Sequence, residues 1–160
     1  MKPFIAVVLF SLAVFAQNDD HHSGVVERGK SHAGMGLSQT TTTHHFILTP
    51  IGGIIQVTSN DATDSGQVDA IQTHLKHIAQ MFSEGNFSIP HFVHDQAPPA
   101  VPSMKKLGAT IHYAAEMMKD CARVKIDATS PEGIAAVHDF LRFQIKDHET
   151  GDPLTVQNSN

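Results

Sequence analysis

Two pairs of segments along the chain have the apolar pattern of β-strands: the first pair consists of short β-rich runs, and the second alternates apolar with polar residues. Residues 46–48 and 54–58 form the first pair, and the proline and glycines at 50–53 favour a hairpin between them. In the second pair, residues 110–117 and 123–128, apolar side chains occupy every other position. We therefore expect strands of an antiparallel sheet with only one fully apolar face.

Two further segments repeat their apolar residues at helical spacing, and each follows one of the hairpins. The first begins after the Asp- and Ser-rich residues 61–65, which can cap its free amides, and its apolar stripe is Val68, Ile71, Leu75, Ile78 and Phe82. The second begins near Pro131 and ends near His148, with the stripe Ile134, Val137, Leu141 and Ile145. Residues 70–77 align without a gap on residues 136–143. The sequence predicts an α+β fold of two ββα halves, with a four-stranded antiparallel sheet and two helices on one face.

The amino-terminal residues have the features of an export signal. Lys2 precedes an apolar run over residues 4–15 that only Ser11 interrupts, and Val14 and Ala16 occupy the −3 and −1 positions of a cleavage site. The run is too short to cross a bilayer as a mature helix, so we expect cleavage after Ala16 rather than an uncleaved anchor. The mature protein is then periplasmic or secreted, without stable membrane insertion.

The rest of the chain suits a single domain. Behind the signal peptide (1–16), residues 17–43 are polar and lack an apolar period, which predicts a flexible tail. The α+β domain then covers residues 44–152, and residues 153–160 form a flexible C-terminus. The formal net charge is −5 and lysines and arginines do not cluster, which disfavours nucleic acid and anionic membranes as partners.

Cys121 is the only cysteine, so no disulfide can form within the chain. Its neighbours Lys119 and Asp120 predict a turn at this point. The thiol is expected to be buried, free, or paired with a second chain in a homodimer.

Twelve histidines give the chain its candidate chemistry, because neutral imidazole is a common ligand of transition metals. At about 100° per residue, His74, His77 and Met81 lie together on one flank of the first predicted helix. Imidazole combined with thioether is a soft donor set that suits copper, with zinc less favoured. We therefore expect a transition-metal site on this flank.

The segment 83–106 supplies the remaining candidate ligands. It holds several prolines that a central strand or helix interior would not accept, which indicates a long loop: Pro90, Pro98, Pro99 and Pro102. His91 or His94 from this loop, or Met104, would complete the metal site. The alternative is that the flank packs against the second helix, because phenylalanines occupy the equivalent positions there.

The other histidines are expected to be structural or exposed. His138 and His148 fall near the apolar stripe of their helix and should be hydrogen-bonded within the core. His112 should point outward, and of His44 and His45 one must point inward and the other outward. The remaining histidines belong to the predicted tail and should bind metal only weakly: His21, His22 and His32.

Catalytic motifs are absent from the sequence: it has no nucleophile elbow, no phosphate-binding loop and no metalloprotease helix motif. His94 and Asp95 could form an acid–base pair in a cleft. His138 and Asp139 are neighbours on a helix, so their side chains do not face each other. Binding is therefore favoured over catalysis.

Four stretches of the predicted domain read HHFILTPIGG at 44–53, HLKHIAQMF at 74–82, HDQAPP at 94–99 and HDFLRFQIKDHETGD at 138–152. Together they resemble a family of small exported bacterial proteins that has no assigned activity, in which glycine more typically stands where Ala100 does here. The resemblance implies a single exported domain and no particular chemistry. The residues themselves favour an exported copper-binding protein, and the alternative is a metal-free secreted interaction or scaffold module.

Overall fold

The computed structural model describes residues 13–31 and 34–158, and the strands in this part form one antiparallel sheet in the order β1-β2-β4-β3. The strands are β1 (Thr42–Thr49), β2 (Gly52–Ser59), β3 (Ile111–Met117) and β4 (Cys121–Ala128). The helices are α1 (Ala13–Lys30), α2 (Ser65–Ser83), α3 (Ser88–His94), α4 (Val101–Lys106) and α5 (Pro131–Asp147). The predicted α+β fold is confirmed: β1-β2-α2 and β3-β4-α5 are the two ββα halves, joined where β2 pairs with β4.

The hairpin between β1 and β2 turns at Pro50 and Ile51, as the sequence predicts. Gly52 follows with φ of 151°, and a Cβ atom at this position would collide with the carbonyl oxygen of Ile126 on β4. Only glycine avoids both the strained backbone angle and this collision. The close approach lets β4 pair with β2 directly beside the turn.

The hydrophobic core lies between the sheet and helices α2 and α5. Alternate strand residues point toward the helices, and the buried ones include Phe46, Leu48, Val57, Val124 and Ile126. The helices contribute the stripes read from the sequence, with Ile71, Leu75, Val137 and Leu141 fully or almost fully buried. Each such side chain contributes about 1.5–3 kcal/mol of burial free energy, so this layer dominates the stability of the fold.

Both predicted helix starts are capped as expected. The Asp64 side chain accepts a hydrogen bond from the backbone amide of Gln67 at 2.9 Å, and Ser130 accepts one from that of Gly133 at 3.1 Å. Pro131 is the first residue of α5, where no intrahelical amide bond is lost.

The amino-terminal region differs from the prediction of a flexible tail over residues 17–43. Helix α1 packs on α3: the Val25 side chain is 0 % exposed, and Arg28 Nε donates to the carbonyl oxygen of Val93 at 2.8 Å. Leu37, in the segment that leads to β1, belongs to the main core. The helix shows no apolar period because a few long-range contacts, rather than an amphipathic face, hold it.

The expected cleavage point after Ala16 falls within α1, and most of the predicted signal peptide, residues 1–12, lies outside the described residues. Among the helices of residues 13–31 and 34–158, none is long and apolar enough to cross a membrane.

The segment 83–106 also differs from the prediction, since it forms α3 and α4 rather than an extended loop. Pro90 is the third residue of α3 and Pro102 the second residue of α4. Proline is accepted there because the first turn of a helix has no intrahelical partners for its amides. The prolines correctly indicated that this segment holds no long helix. They did not exclude short helices that consist mostly of their first turn.

The end of the chain lies along the outer edge of β1. The backbone amide of Gln157 donates to the carbonyl oxygen of Leu48 at 2.8 Å, and the Asp152 carboxylate accepts from the Phe46 amide at 2.9 Å. The prediction of a flexible C-terminus from residue 153 is therefore corrected as far as the structure describes it, to residue 158. The attached segment covers backbone groups that an edge strand would leave unpaired.

Candidate functional site

A cavity of about 50 Å³ lies between the sheet and helices α2, α3 and α5. Its walls are mostly apolar side chains from these elements, together with Met35 from the segment after α1. The polar lining residues are His44, His94, Gln144 and His148. An apolar cavity with a few convergent polar groups is the usual form of a small-ligand site.

His44 reaches the cavity because it occupies an inward-facing position of β1. Its side chain is 7 % exposed, and its Nε2 atom is buried without a hydrogen-bond partner within the described part of the chain. Burial, followed by the nearby His74 and His45, lowers the pKa of His44 to about 4. The ring is therefore neutral at neutral pH.

His148 follows the last residue of α5 and lies parallel to His44, with ring centroids 6.0 Å apart and planes 4° apart. Gln39 Nε2 lies 2.9 Å from His148 Nδ1. The amide is a donor, so Nδ1 accepts and a neutral His148 carries its proton on Nε2. Burial, followed by His94 and His44, lowers the pKa of His148 well below the usual value.

The two stacked rings also border a second space, a surface cleft of about 210 Å³. Since His44 and His148 line both spaces, they stand between the inner cavity and the solvent-facing cleft. A molecule entering from this side would pass the two imidazoles.

His94 forms the third corner of this cluster, 4.9 Å from His148 between ring centroids. Its Nδ1 donates to Oδ2 of Asp147, whose other oxygen lies 2.9 Å from Nε2 of His21 on α1. On its other side, Nε2 lies 2.9 Å from Oε1 of Gln144, and Gln144 Nε2 has no partner among the described residues. Either His94 carries two protons, or the Gln144 amide is turned so that its NH₂ group donates to Nε2 of a neutral ring.

The structure does not bring the predicted metal ligands together. His77 and His91 are exposed, and His91 borders a separate surface cleft. Met81 on α2 and Met104 on α4 are both buried in the apolar core. Met81 is covered because α2 buries a wider arc of its surface than its sequence stripe indicated. Only His94 lines the cavity, and His74 lies half-buried near His44. Within residues 13–31 and 34–158, no group of three or more His, Cys, Asp or Glu side chains is arranged to hold a metal ion.

Several other histidines occupy the places that the sequence predicts. His138 is buried and its Nε2 donates to the carbonyl oxygen of Thr49 at 2.8 Å. His44 points inward, whereas His45 faces outward with its Nδ1 2.8 Å from the Asp152 carboxylate. His112 is exposed on β3.

No sequence pattern pointed to several residues that contact the histidines of the cavity, among them Gln39, Gln144 and Asp147. The strand alternation already indicated that one of His44 and His45 must be buried, which was the available signal for this site. The approach of His94 and His148 to that ring depends on α3 and on the end of α5, and no local pattern reports it.

Cys121 is the first residue of β4 rather than part of a turn, and its side chain is buried. Burial and the neighbouring Asp120 raise the pKa of the thiol above its usual value. A protonated, buried thiol is a poor metal ligand and a poor nucleophile.

Comparison of the chain with models of protein families, with curated proteins and with solved structures gave no match. The resemblance to a family of exported bacterial proteins stays a prediction, and function is argued from the geometry alone.

Proposed function

We propose that this protein is an exported binding protein that takes up a small neutral molecule in the cavity beside His44. The buried and unpartnered Nε2 atom of His44 carries the proposal. Leaving such an atom without a hydrogen bond costs about 1–3 kcal/mol, and a ligand that hydrogen-bonds to it recovers this free energy.

The walls of the cavity define the chemistry of the ligand. The volume of about 50 Å³ holds roughly three or four water molecules, so the ligand has few non-hydrogen atoms. Neutral His44 and His148 give no charge to balance an ion, and the His94 ring is already paired with the Asp147 carboxylate. Apolar walls make the burial of a further, unpaired charge costly. The best fit is an uncharged molecule with an apolar body and one hydrogen-bonding group.

Pyrazole is a suitable probe because it is small, neutral at pH 7.5 and able both to donate and to accept a hydrogen bond. In an NMR titration of the full chain, we expect saturable shifts of cavity-lining residues such as Ile55 and Val93. The variant His44→Leu places an apolar side chain at this position and removes the nitrogen. Pyrazole affinity should therefore fall by about 5- to 150-fold, which corresponds to the 1–3 kcal/mol of the lost hydrogen bond.

His77→Leu is the matched control, since it removes an exposed histidine from α2 and should leave pyrazole affinity unchanged. Cyclopentene, which has the size of pyrazole without its nitrogens, should bind wild type and His44→Leu equally. Undiminished pyrazole binding by His44→Leu would show that His44 Nε2 does not recognise the ligand.

The second candidate function is transition-metal binding, with copper favoured over zinc. It is supported by the neutral state of two neighbouring imidazoles: burial, followed by His77, lowers the pKa of His74 to about 4, as burial does for His44. Their lone pairs are therefore free at neutral pH, although a metal would require a third ligand to move toward them.

A metal-binding measurement on wild type and a double variant separates the two candidates. Untagged protein equilibrated with Cu²⁺ or Zn²⁺ is analysed for bound metal after gel filtration. One Cu²⁺ or Zn²⁺ ion bound per chain in wild type, and none in the His74→Ala/His77→Ala double variant, supports metal binding. Protein that retains no metal but binds pyrazole supports the cavity proposal.

A further inference from the structure

The two edge strands of the sheet, β1 and β3, differ in how far the rest of the chain covers them. At β1, the carboxy-terminal segment covers the edge through the hydrogen bond from Gln157 to Leu48. At the opposite edge, β3 pairs only with β4, and its first outward amide, that of Ile111, donates to the carbonyl oxygen of Gly108. Beyond Ile111, no hydrogen bond from residues 13–31 or 34–158 reaches the outer side of β3, which is a row of unpaired backbone groups as far as Met117.

The backbone groups that face outward can be identified from the ladder between β3 and β4. The amide of Thr129 donates to the carbonyl oxygen of Thr110 at 2.9 Å. The amide of Met118 donates to the carbonyl oxygen of Cys121 at 2.9 Å. Because bonding alternates along an antiparallel pair, the even-numbered residues between these points bond to β4. The odd-numbered residues therefore direct their N–H and C=O groups to the open edge: Ile111, Tyr113, Ala115 and Met117.

The strand also lacks the features that usually protect an edge. It contains no proline and no lysine, and its ladder to β4 is continuous, without a bulge, from Ile111 to Met117. Its single acidic residue, Glu116, is already paired with Arg123 on β4, with 2.6 Å between Oε2 and Nε. Unprotected edges are templates for pairing with another strand.

We propose that β3 pairs antiparallel with β3 of a second copy of this chain, about a two-fold axis at Ala114, so that the two sheets become continuous. In this register the outward groups of Tyr113 meet those of Ala115 in the other copy, and those of Ile111 meet those of Met117. The outward backbone groups of Tyr113 and Ala115, the Met117 amide and the Ile111 carbonyl then have partners, while the Ile111 amide keeps its bond to Gly108.

The side chains of β3 are self-complementary in this register. His112 lies opposite Glu116 of the second copy, and the same pair recurs on the other side of the axis. These are non-hydrogen-bonded positions, where facing side chains approach most closely, and an imidazole can donate to a carboxylate. Ala114 meets its own copy at the axis, where a small side chain permits close approach.

The opposite face of the strand gains apolar contact. Met117 is 43 % exposed in the single chain and would lie opposite buried Ile111 of the second copy. Moving the axis to Tyr113 or Ala115 would separate His112 from Glu116, so the charge pattern selects the axis at Ala114. A second copy fits this edge better than an unrelated peptide because the pattern is symmetric about one residue.

Sedimentation velocity of the full chain over a range of concentrations tests the proposal. Wild type should reach a dimer. His112→Glu places like charges opposite each other twice and should raise the dimer dissociation constant about tenfold, whereas His112→Lys places a cation opposite Glu116 and should leave it equal or lower. Ala115→Pro removes an outward amide without touching the ladder to β4, so it should abolish the dimer.

Far-UV circular dichroism and the thermal midpoint of the variants check that the monomer fold is retained. A chain that stays monomeric at all concentrations overturns the proposal. So does a dimer that none of the three variants changes, or one that disappears on reduction and in Cys121→Ser, which would place the contact at the cysteine.

Discussion

At the scale of single residues, the histidines of this protein separate by what each ring contacts. His138 and His45 have fixed oxygen partners, on Thr49 and Asp152. Among the described residues His44 has no partner for Nε2, and burial keeps its ring neutral in the core. Its neutrality makes the stability of the fold dependent on pH.

The free energy of unfolding should fall as the solution is acidified from pH 7 to pH 4. The pKa of His44 drops from 6.5 in the unfolded chain to about 4 in the fold. Above pH 6.5 both states hold a neutral ring and stability is complete. Between pH 6.5 and 4 the unfolded chain binds a proton at His44 that the folded chain does not bind. The resulting loss of unfolding free energy reaches about 3 kcal/mol before it levels off.

Urea unfolding at pH 7.5 and pH 4.5 measures this loss. In His44→Leu the difference in unfolding free energy between the two pH values should shrink by about 2–3 kcal/mol, because one of the buried neutral rings is gone. His77→Leu, which changes an exposed ring, should retain the wild-type difference. An equal pH dependence in all three proteins would mean that His44 can be protonated in the fold.

At the scale of secondary-structure elements, α1 differs from the other long helices because its sequence shows no apolar stripe. Val25 is its fully buried anchor, and Arg28 and His21 add hydrogen bonds to α3 and to α5. Over residues 20–30, the part of α1 whose side chains the structure describes, the attachment rests on few contacts, so the helix should detach without unfolding the sheet.

The variant Val25→Asp should release α1, because it places an unpaired charge where the side chain is 0 % exposed. Hydrogen exchange in residues 20–30 should accelerate by at least tenfold, while the amides of β2 and β4 keep their protection. The neighbouring Val26 is only half-buried, so Val26→Asp is the matched control and should exchange more nearly as wild type does. Equal exchange in wild type and Val25→Asp would mean that α1 is not held by this anchor.

At the scale of the whole molecule, the predicted export signal overlaps the start of helix α1. The predicted cleavage after Ala16 removes the apolar run but leaves His21, Val25 and Arg28, which attach α1 to the domain. The mature chain should therefore fold with α1 in place.

Intact-mass measurement of protein recovered from the periplasm or medium of a bacterial host tests this expectation. We expect a chain that begins at Gln17, with the same thermal midpoint as full-length protein produced in the cytoplasm. Recovery of the intact chain in the cytoplasm alone, with Met1 present, would contradict export.

The sequence by itself determined the two ββα halves, because burial of one sheet face and one helix stripe imposes periods of two and of about 3.6 residues. Phe46, Leu75 and Leu141 report those periods directly, and Asp64 and Ser130 mark the helix starts through local hydrogen bonds. Each of these signals arises within a few residues of the chain.

Only the tertiary structure decided where the histidines act. His44, His94 and His148 come from a strand, a short helix and a helix end, and they meet because these elements pack around one cavity. Met81 looked like a metal ligand from its spacing but is buried in the core, since spacing places a residue on a helix without showing which neighbours cover it. Contacts between distant segments also hold α1 and the carboxy-terminal segment, and such contacts leave no period in the sequence because each depends on one or two residues.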